Sequence, residues 1–195
     1  MDPDTERIVV QRLREGDPSA FDAVYDEYRA RLFSFIVRLS RRRDLAEDLL
    51  EETWLRLAAN ARRLRPDTRL GPWLFTVARN LYFSACRSRL LEENCATSLI
   101  GLWPIANSAP SPFEQAAASE LERRVERALA RLSARDREVL LLVGVEGYTA
   151  AEAAAIAGTS PQALRQRLSR ARARLARELD GVGTGPLTLP SEVTA

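Results

Sequence analysis

The sequence contains no histidine and no lysine, and only two of its 195 residues are cysteine. Histidine is the commonest metal ligand of proteins and the usual general acid or base near neutral pH. The chain also lacks a glycine-rich phosphate loop and metal-ligand spacing. We therefore interpret it as a protein that is not an enzyme and needs no metal or cofactor, although a disulfide or a metal site between Cys86 and Cys95 stays open.

Long apolar runs and strand-like runs are missing as well. The longest apolar stretches, 139–145 and 99–106, are too short to cross a bilayer. The charged N-terminus lacks the apolar segment of a signal peptide. Valine, isoleucine and threonine form no alternating runs, whereas the helix formers Ala, Leu, Arg and Glu dominate the periodic stretches. These features predict an all-α, cytoplasmic protein without membrane insertion.

Charge is distributed unevenly, although the net charge is only +2. Six arginines lie in 165–177 without an intervening acid, and seven lie in 62–89 with the single acid Asp67. Residues 44–52 hold five acids and no base. Two basic zones and one acidic zone predict that the chain binds a polyanion and a second partner together. Ordinary solvated helix faces are the alternative.

Apolar periodicity and capping residues predict two small helical bundles joined by a flexible linker. The first bundle, 1–91, has an apolar helical stripe across 21–39. Asp44 is expected to be the N-cap of the next helix. Pro72 favours the first turn of a third helix, which runs to about Leu91.

The rest of the chain divides into a linker, 92–118, a second bundle, 119–180, and a tail, 181–195, that we expect to be disordered. No charged residue occurs from Asn94 to Phe113, and prolines interrupt this stretch. It is therefore typical of a connecting segment, although its apolar residues suit docking on a bundle or on a partner.

The second bundle contains the residue pattern of a helix-turn-helix. Ser133 with Asp136 is predicted to cap one helix. Thr149 and Glu152 form a capping box for the next, and Gly158 ends that short helix. Ser160 and Pro161 then open a final long helix. A capped helix, a glycine turn and a second capped helix are the layout of a helix-turn-helix domain.

The final helix has one apolar side and one side rich in glutamine and arginine. Glutamine can bind adenine and arginine can bind guanine in the major groove, and flanking arginines suit backbone phosphates. We therefore predict that this helix binds duplex DNA; the alternative is an arginine-rich helix that only packs in a bundle. The predicted contact residues are Ser160, Gln162, Arg165, Gln166, Ser169, Arg170, Arg172 and Arg174.

The predicted third helix carries two aromatic residues on its polar side. Phe75 and Phe83 fall beside Arg79 and Asn80, away from the expected core side. Exposed rings among arginines suit unpaired bases, which stack on the rings while the guanidinium groups hold the backbone. The alternative is that both rings pack under the linker.

The predicted second helix has an acidic outer side. Asp48, Glu51 and Glu52 lie on it, with Leu55 among them and Trp54 at its edge. This side would repel DNA, so it faces either solvent or a basic protein surface.

Two stretches resemble a known family. AFDAVYDEYRARLFSFIVRLSRRRDLAEDLLEETWLRLAAN, with LRPDTRLGPWLFTVARNLYFSACRSR, resembles region two of the extracytoplasmic-function sigma factors. LSARDREVLLLVGVEGYTAAEAAAIAGTSPQALRQRLSRARARL resembles their region four. The two stretches keep the family's order and cover roughly three quarters of the chain.

The resemblance implies a factor that binds core RNA polymerase at the clamp helices of the largest subunit and at the flap, and that directs promoter-specific initiation. Region four would read the minus-thirty-five element in double-stranded DNA. Region two would open the minus-ten element and hold its single strand, with the loop 64–71 and Asn80 capturing a flipped base. An anti-sigma factor is a further expected partner.

The same resemblance assigns roles in region two. For the opened element the residues are Arg69, Phe75, Arg79, Asn80, Phe83 and Arg87; for polymerase they are Asp48, Glu51, Glu52, Trp54 and Leu55. Glu51 stands where the family more often has glutamine. The alternative function is a stand-alone helix-turn-helix transcriptional regulator, which explains the second bundle but not the aromatic side of the third helix.

Overall fold

The computed structural model describes the backbone of residues 1–96 and 120–181, and the side chains of 1–88 and 121–180. Every regular element in these ranges is helical, which confirms the predicted all-α class. None of the helices described there has both the length and the apolar character that a bilayer span requires.

The N-terminal module consists of four helices. They are α1 (Pro3–Glu15), α2 (Pro18–Ser40), α3 (Arg43–Asn60) and α4 (Leu70–Ala96), with a single 3-10 turn at Ala61–Arg63. The three longer helices pack against one another, and α1 packs on α2 and on the 3-10 turn. Their shared core is apolar, with Leu32, Ile36, Leu57 and Leu74 all fully buried.

The C-terminal module also has four helices. They are α5 (Glu120–Ala130), α6 (Ala134–Leu140), α7 (Ala150–Ala157) and α8 (Pro161–Gly181). Helix α6 continues into a wider turn at Leu141–Val145. Wide turns of this kind are rare and occur often at functional sites.

Helix α1 was not among the predicted helices. Asp2 and Asp17 cap α1 and α2, and each is followed by a proline in the first turn. This Asp-Pro pattern is a strong helix start that the sequence reasoning did not use. Asp44 was predicted as an N-cap, and that prediction is wrong. The residue lies inside α3, and its carboxylate pairs with the Arg42 side chain.

The predicted caps of the C-terminal module are confirmed. The Ser133 hydroxyl accepts a hydrogen bond from the Asp136 amide, and Thr149 and Glu152 form a reciprocal capping box. Gly158 takes the left-handed conformation at the end of α7, with φ of 64°. The Ser160 hydroxyl accepts from the amide of Ala163 at 3.2 Å.

The predicted boundary at residue 91 falls inside a helix, because α4 continues to Ala96. The remainder of the predicted linker and nearly all of the predicted tail lie outside the described residues.

The two modules pack against each other and share one apolar core. Helix α4 contacts α7, and α2 contacts α5 and α6. The buried Arg137 side chain links them: its Nη2 donates to the carbonyl of Leu39 at 3.0 Å, and its Nη1 donates to the carbonyl of Leu132 at 2.8 Å. The C-terminal ends of α2 and α5 are thus held by one guanidinium.

Two leucines on α3 provide a matched test of the core. Leu57 is fully buried and Leu55 is 57% exposed. We expect Leu57→Ala to lower the free energy of unfolding by ~2–5 kcal/mol because it removes buried methyl groups and leaves a cavity. Leu55→Ala should change it by less than about 0.5 kcal/mol. Urea denaturation of both variants measures the difference, and equal losses would contradict this packing.

Candidate nucleic-acid and polymerase interfaces

Helix α8 places its predicted contact residues in solvent. Its inner side is anchored by Leu164, Leu168 and Ala171, which are buried. All eight predicted contact residues are exposed: Ser160, Gln162, Arg165, Gln166, Ser169, Arg170, Arg172 and Arg174. The exposed N-terminal half of α8 therefore offers amide and guanidinium groups of the kind that read base edges in a major groove.

A buried carboxylate holds two arginines of α8. The Asp136 side chain is 4% exposed, and its oxygens lie 3.4 Å from Arg167 Nη1 and 2.5 Å from Arg174 Nη1. Arg174 was predicted to contact DNA, but here it pairs with Asp136 and fixes α8 on α6. Sequence reasoning used Asp136 only as part of a helix start. Its burial, which the sequence did not reveal, gives it this second role.

Phe75 was predicted to lie on an exposed side of α4, and that prediction is wrong. Its ring is fully buried. It contacts Phe35 edge-on at a centroid distance of 5.1 Å and Tyr148 of the C-terminal module at 5.5 Å. The sequence pattern of α4 shows only its apolar and polar sides within the N-terminal module. Tyr148 of the C-terminal module covers Phe75 on the polar side, which the pattern does not reveal.

Phe83 is half-buried beside two guanidinium groups. Arg79 Cζ lies 4.8 Å from the centre of the ring and Arg135 Cζ lies 5.0 Å from it. Arg79 also donates to Asn80 Oδ1 at 2.7 Å and to Glu138 Oε1 at 2.6 Å. The predicted grouping of Phe83, Arg79 and Asn80 is therefore present, but residues of the C-terminal module take part in it.

A cleft of about 620 Å³ opens between the modules beside this group. Asn80 and Arg87, both exposed, line it from α4, while Arg135 and Gly158 line it from the C-terminal module. The cleft is thus polar and rich in arginine, as a surface for a phosphate backbone would be.

Burial and hydrogen bonding have opposite effects on the pKa values of Glu138 and Glu152, which pair with Arg79 and Arg69. Burial raises the pKa of Glu138 above its usual range, and the hydrogen bond from Arg79 opposes that rise. Glu152 is more open, and its bond from the Thr149 amide, followed by the one from Arg69, lowers its pKa to about 2. Burial therefore disfavours the charged form of Glu138, whereas hydrogen bonds favour the charged form of Glu152.

The acidic side of α3 is exposed at Asp48, Glu51 and Leu55. Glu52 is half-buried and pairs with Arg56 at 2.6 Å. Trp54 was predicted to contact a partner, but its side chain is buried and packs against Phe21 and Tyr25. In this conformation the Trp54 ring faces α2 and is covered there, so it lies away from the exposed side of α3.

Within the part of the chain that the structure describes, no group of three or more metal-ligating side chains occurs. Cys86 is a free, half-buried thiol there. The side chain of Cys95 lies outside the described residues, and so does the alternative of a bridge or metal site between Cys86 and Cys95.

Comparison with known proteins identifies both modules. The family model for sigma-70 region 2 matches residues 24–90, and the model for sigma-70 region 4 matches residues 122–175. RNA polymerase sigma factor CarQ of Myxococcus xanthus is 34% identical over 172 residues, covering 88% of this chain and 95% of CarQ. ECF RNA polymerase sigma factor EcfG of Rhodopseudomonas palustris is 38% identical over 144 residues, covering 74% and 76%.

A solved structure has the same fold. The sigma factor RpoE, in complex with the anti-sigma factor NepR from Bartonella quintana, superposes with a TM-score of 0.68 at 30% identity. The superposition covers 82% of this chain and 96% of that chain.

The matched regions are the two characteristic parts of sigma-70-type sigma factors. The chain belongs to the extracytoplasmic-function RNA polymerase sigma factors within that family. Sigma factors bind RNA polymerase and promoter DNA, and they are not enzymes. The predicted family and the prediction that the protein is not an enzyme are both confirmed, and the stand-alone regulator is set aside.

The pairing of Asp136 with α8 yields a stability test. Asp136→Asn removes the charge but keeps the size of the side chain, so Arg167 and Arg174 lose their buried partner. We expect a loss of ~1–3 kcal/mol in the free energy of unfolding. Asp180→Asn, at an exposed position of α8, serves as the matched control in the same urea titration. An Asp136→Asn protein as stable as wild type would mean that the two pairs contribute nothing.

Proposed function

We propose that this sigma factor reads the minus-thirty-five element with α8 and opens the minus-ten element with α4. The first half of the proposal is supported by one observation above all: α8 buries Leu164 and Leu168 and exposes Gln162, Arg165 and Gln166 together near its N-terminus. This is the geometry in which a recognition helix enters a major groove. Ser160, Ser169, Arg170 and Arg172 would contact the flanking phosphates.

For the minus-ten element, the proposal assigns stacking of an unpaired base to Phe83 and contact with a captured base to Asn80. Arg69, Arg79 and Arg87 would hold the single-stranded backbone. The predicted loop 64–71 leads into α4 and includes its first two residues, so it lies next to the helix proposed to contact bases. Phe75 is left out of the contact set because its ring is buried. The ring packs against Phe35 and Tyr148 instead.

Core polymerase is proposed to bind the exposed part of the acidic side of α3. Asp48 and Glu51 supply charge there, and Leu55 supplies an apolar group that is 57% exposed. An exposed leucine among carboxylates suits a basic protein surface with an apolar centre. The clamp helices of the largest subunit are the proposed partner, with the flap as the partner of the C-terminal module.

An anti-sigma factor is the further proposed partner. RpoE, which is 30% identical to this chain, was solved in complex with the anti-sigma factor NepR. The superposition covers 82% of this chain, which is more than either module alone. This similarity supports the proposal that an anti-sigma factor binds this chain as well.

The upstream contacts can be tested one residue at a time. We expect Gln166→Ala or Arg165→Ala to cost ~1–3 kcal/mol in binding of holoenzyme to a promoter, because each removes a base contact. Arg177→Ala, outside the proposed contact set, is the matched control. Competition assays with intact and scrambled upstream DNA measure the effect. Equal losses on both DNAs would mean that these residues bind phosphates and do not read bases.

We expect substitutions in α4 to affect strand opening and a substitution in α3 to affect polymerase binding. Phe83→Ala and Asn80→Ala should reduce permanganate reactivity of the minus-ten element while holoenzyme forms normally. Leu55→Ala should weaken holoenzyme formation, and the holoenzyme that does form should open the promoter as wild type does. An unchanged footprint in both the Phe83 and Asn80 variants would remove the assignment to α4.

A further inference from the structure

Loop 64–71, between α3 and α4, is held near each end by a buried leucine. Leu64 and Leu70 both belong to the apolar core of the N-terminal module. Between them the chain turns outward, and residues 65–67 are exposed. The exposed part of the loop is therefore carried by two anchored points, and a group that shifts either point shifts the exposed residues with it.

Helix α1 lies against both ends of this loop. It packs on the 3-10 turn at Ala61–Arg63, which leads into the loop. At the other end, the Leu70 amide donates a hydrogen bond to Glu6 Oε1 at 2.8 Å. The helix is itself fixed in the core by Val10 and Leu13, which are buried. Helix α1 thus supports the loop where it begins and where it ends.

The residue before α4 cannot cap that helix. The carbonyl of Arg69 accepts from the Trp73 amide at 3.1 Å, so Arg69 occupies the N-cap position. An arginine side chain offers only donors and cannot bind the free amides of the first turn. The Glu6 carboxylate supplies an acceptor from another helix, and negative charge is favourable at a helix N-terminus. Glu6 thus does for α4 what Asp2 and Asp17 do for α1 and α2.

The end of the loop is packed tightly around this hydrogen bond. Gly71 is buried, and a Cβ there would lie 3.3 Å from both Cε1 and the hydroxyl oxygen of Tyr28. Burial raises the pKa of Tyr28 to about 12, and the negative charge of Glu6 contributes to that rise. Glu6, Tyr28 and Gly71 therefore lie together where α1, α2 and α4 meet.

We propose that Glu6 is a positioning residue for loop 64–71, because its carboxylate fixes the point at which the loop enters α4. This role rests on the proposed function of the loop and of Asn80 in capturing a flipped base. Leu70 is the first residue of the helix that carries Asn80, so the hydrogen bond to Glu6 sets the loop relative to that helix. Glu6 acts through the Leu70 amide and does not contact DNA.

The proposal makes base selection depend on a part of the chain that precedes the matched family region. The region 2 model begins at residue 24, whereas α1 ends at Glu15. Sequence changes in α1 would therefore alter the hold on the captured base while the residues proposed to contact that base stay the same.

The test uses holoenzymes made with the full-length chain. The probe is a fluorescein-labelled single-stranded oligonucleotide that carries the minus-ten element of a promoter they transcribe. A single abasic site is moved through the element, and the largest loss of affinity in wild type marks the captured base. The measured quantity is the ratio of the affinities for intact and abasic DNA at that position. This ratio does not depend on the fraction of protein that is folded, so a purely structural defect would leave it unchanged.

We expect Glu6→Ala to lower this ratio about fivefold, since a hydrogen bond to a charged group corresponds to roughly tenfold or more in an equilibrium constant and part of that is transmitted to the base. Glu6→Gln keeps an acceptor oxygen and should retain the wild-type ratio. Glu6→Asp shortens the side chain by one methylene and should behave as Glu6→Ala does. It also provides the measurement if Glu6→Ala fails to fold.

Glu15→Ala is the matched control on the same helix. Glu15 is exposed at the opposite end of α1, where it accepts a hydrogen bond from Gln11. Its substitution should leave the ratio unchanged. A wild-type ratio in both Glu6→Ala and Glu6→Asp would overturn the proposal, and so would a ratio in Glu6→Gln as low as that in Glu6→Ala.

Asn80→Ala separates a failure of this proposal from a failure of the proposed function. If Asn80→Ala lowers the ratio while Glu6→Ala does not, the positioning role of Glu6 is wrong and the role of α4 stands. If Asn80→Ala leaves the ratio unchanged at every position of the element, the role of α4 in base capture is wrong, and with it the role of Glu6.

Discussion

The ion pair between Arg79 and Glu138 joins the two modules at the centre of the surface proposed to hold the opened DNA strand. Both side chains are nearly removed from solvent, at 11% and 3% exposure. Neither charge can remain there alone, because an unpaired buried charge costs several kcal/mol. The helices that carry the pair, α4 and α6, therefore either stay packed against each other or separate so that both charges reach solvent. The other contacts between the modules, such as those of Arg137 and Tyr148, form only while α4 and α6 stay packed.

Most of the fold could be predicted from local patterns. Capping residues fixed the helix starts of the C-terminal module, because a hydroxyl or carboxylate that binds a backbone amide acts within a few residues. Apolar periodicity also acts over a few residues, and it predicted correctly that the apolar side of α8, with Leu164 and Leu168, is buried. Asp44 was misleading because Glu47 follows it three residues later, as in a capping box, whereas the N-cap of α3 is Arg42, two residues earlier, without a side-chain hydrogen bond.

The candidate surfaces were less predictable because they depend on contacts across long stretches of chain. Phe75 is buried by Tyr148, and Trp54 is buried by Phe21 and Tyr25. An amphipathic pattern tells which side of a helix is apolar, but not which neighbour will cover an aromatic ring on the polar side. The exposed side of α8 was predictable because no element of the described chain packs on it.

Asp136 has a consequence for how promoter choice can evolve. Its buried carboxylate pairs with two arginines of α8, so the orientation of the proposed recognition helix on α6 depends on a side chain that is almost fully buried. A change in the packing of α6 would tilt the exposed side of α8 relative to the rest of the module. If α8 reads DNA as proposed, its preference can therefore change through the interior of this module while every side chain proposed to contact bases keeps its identity.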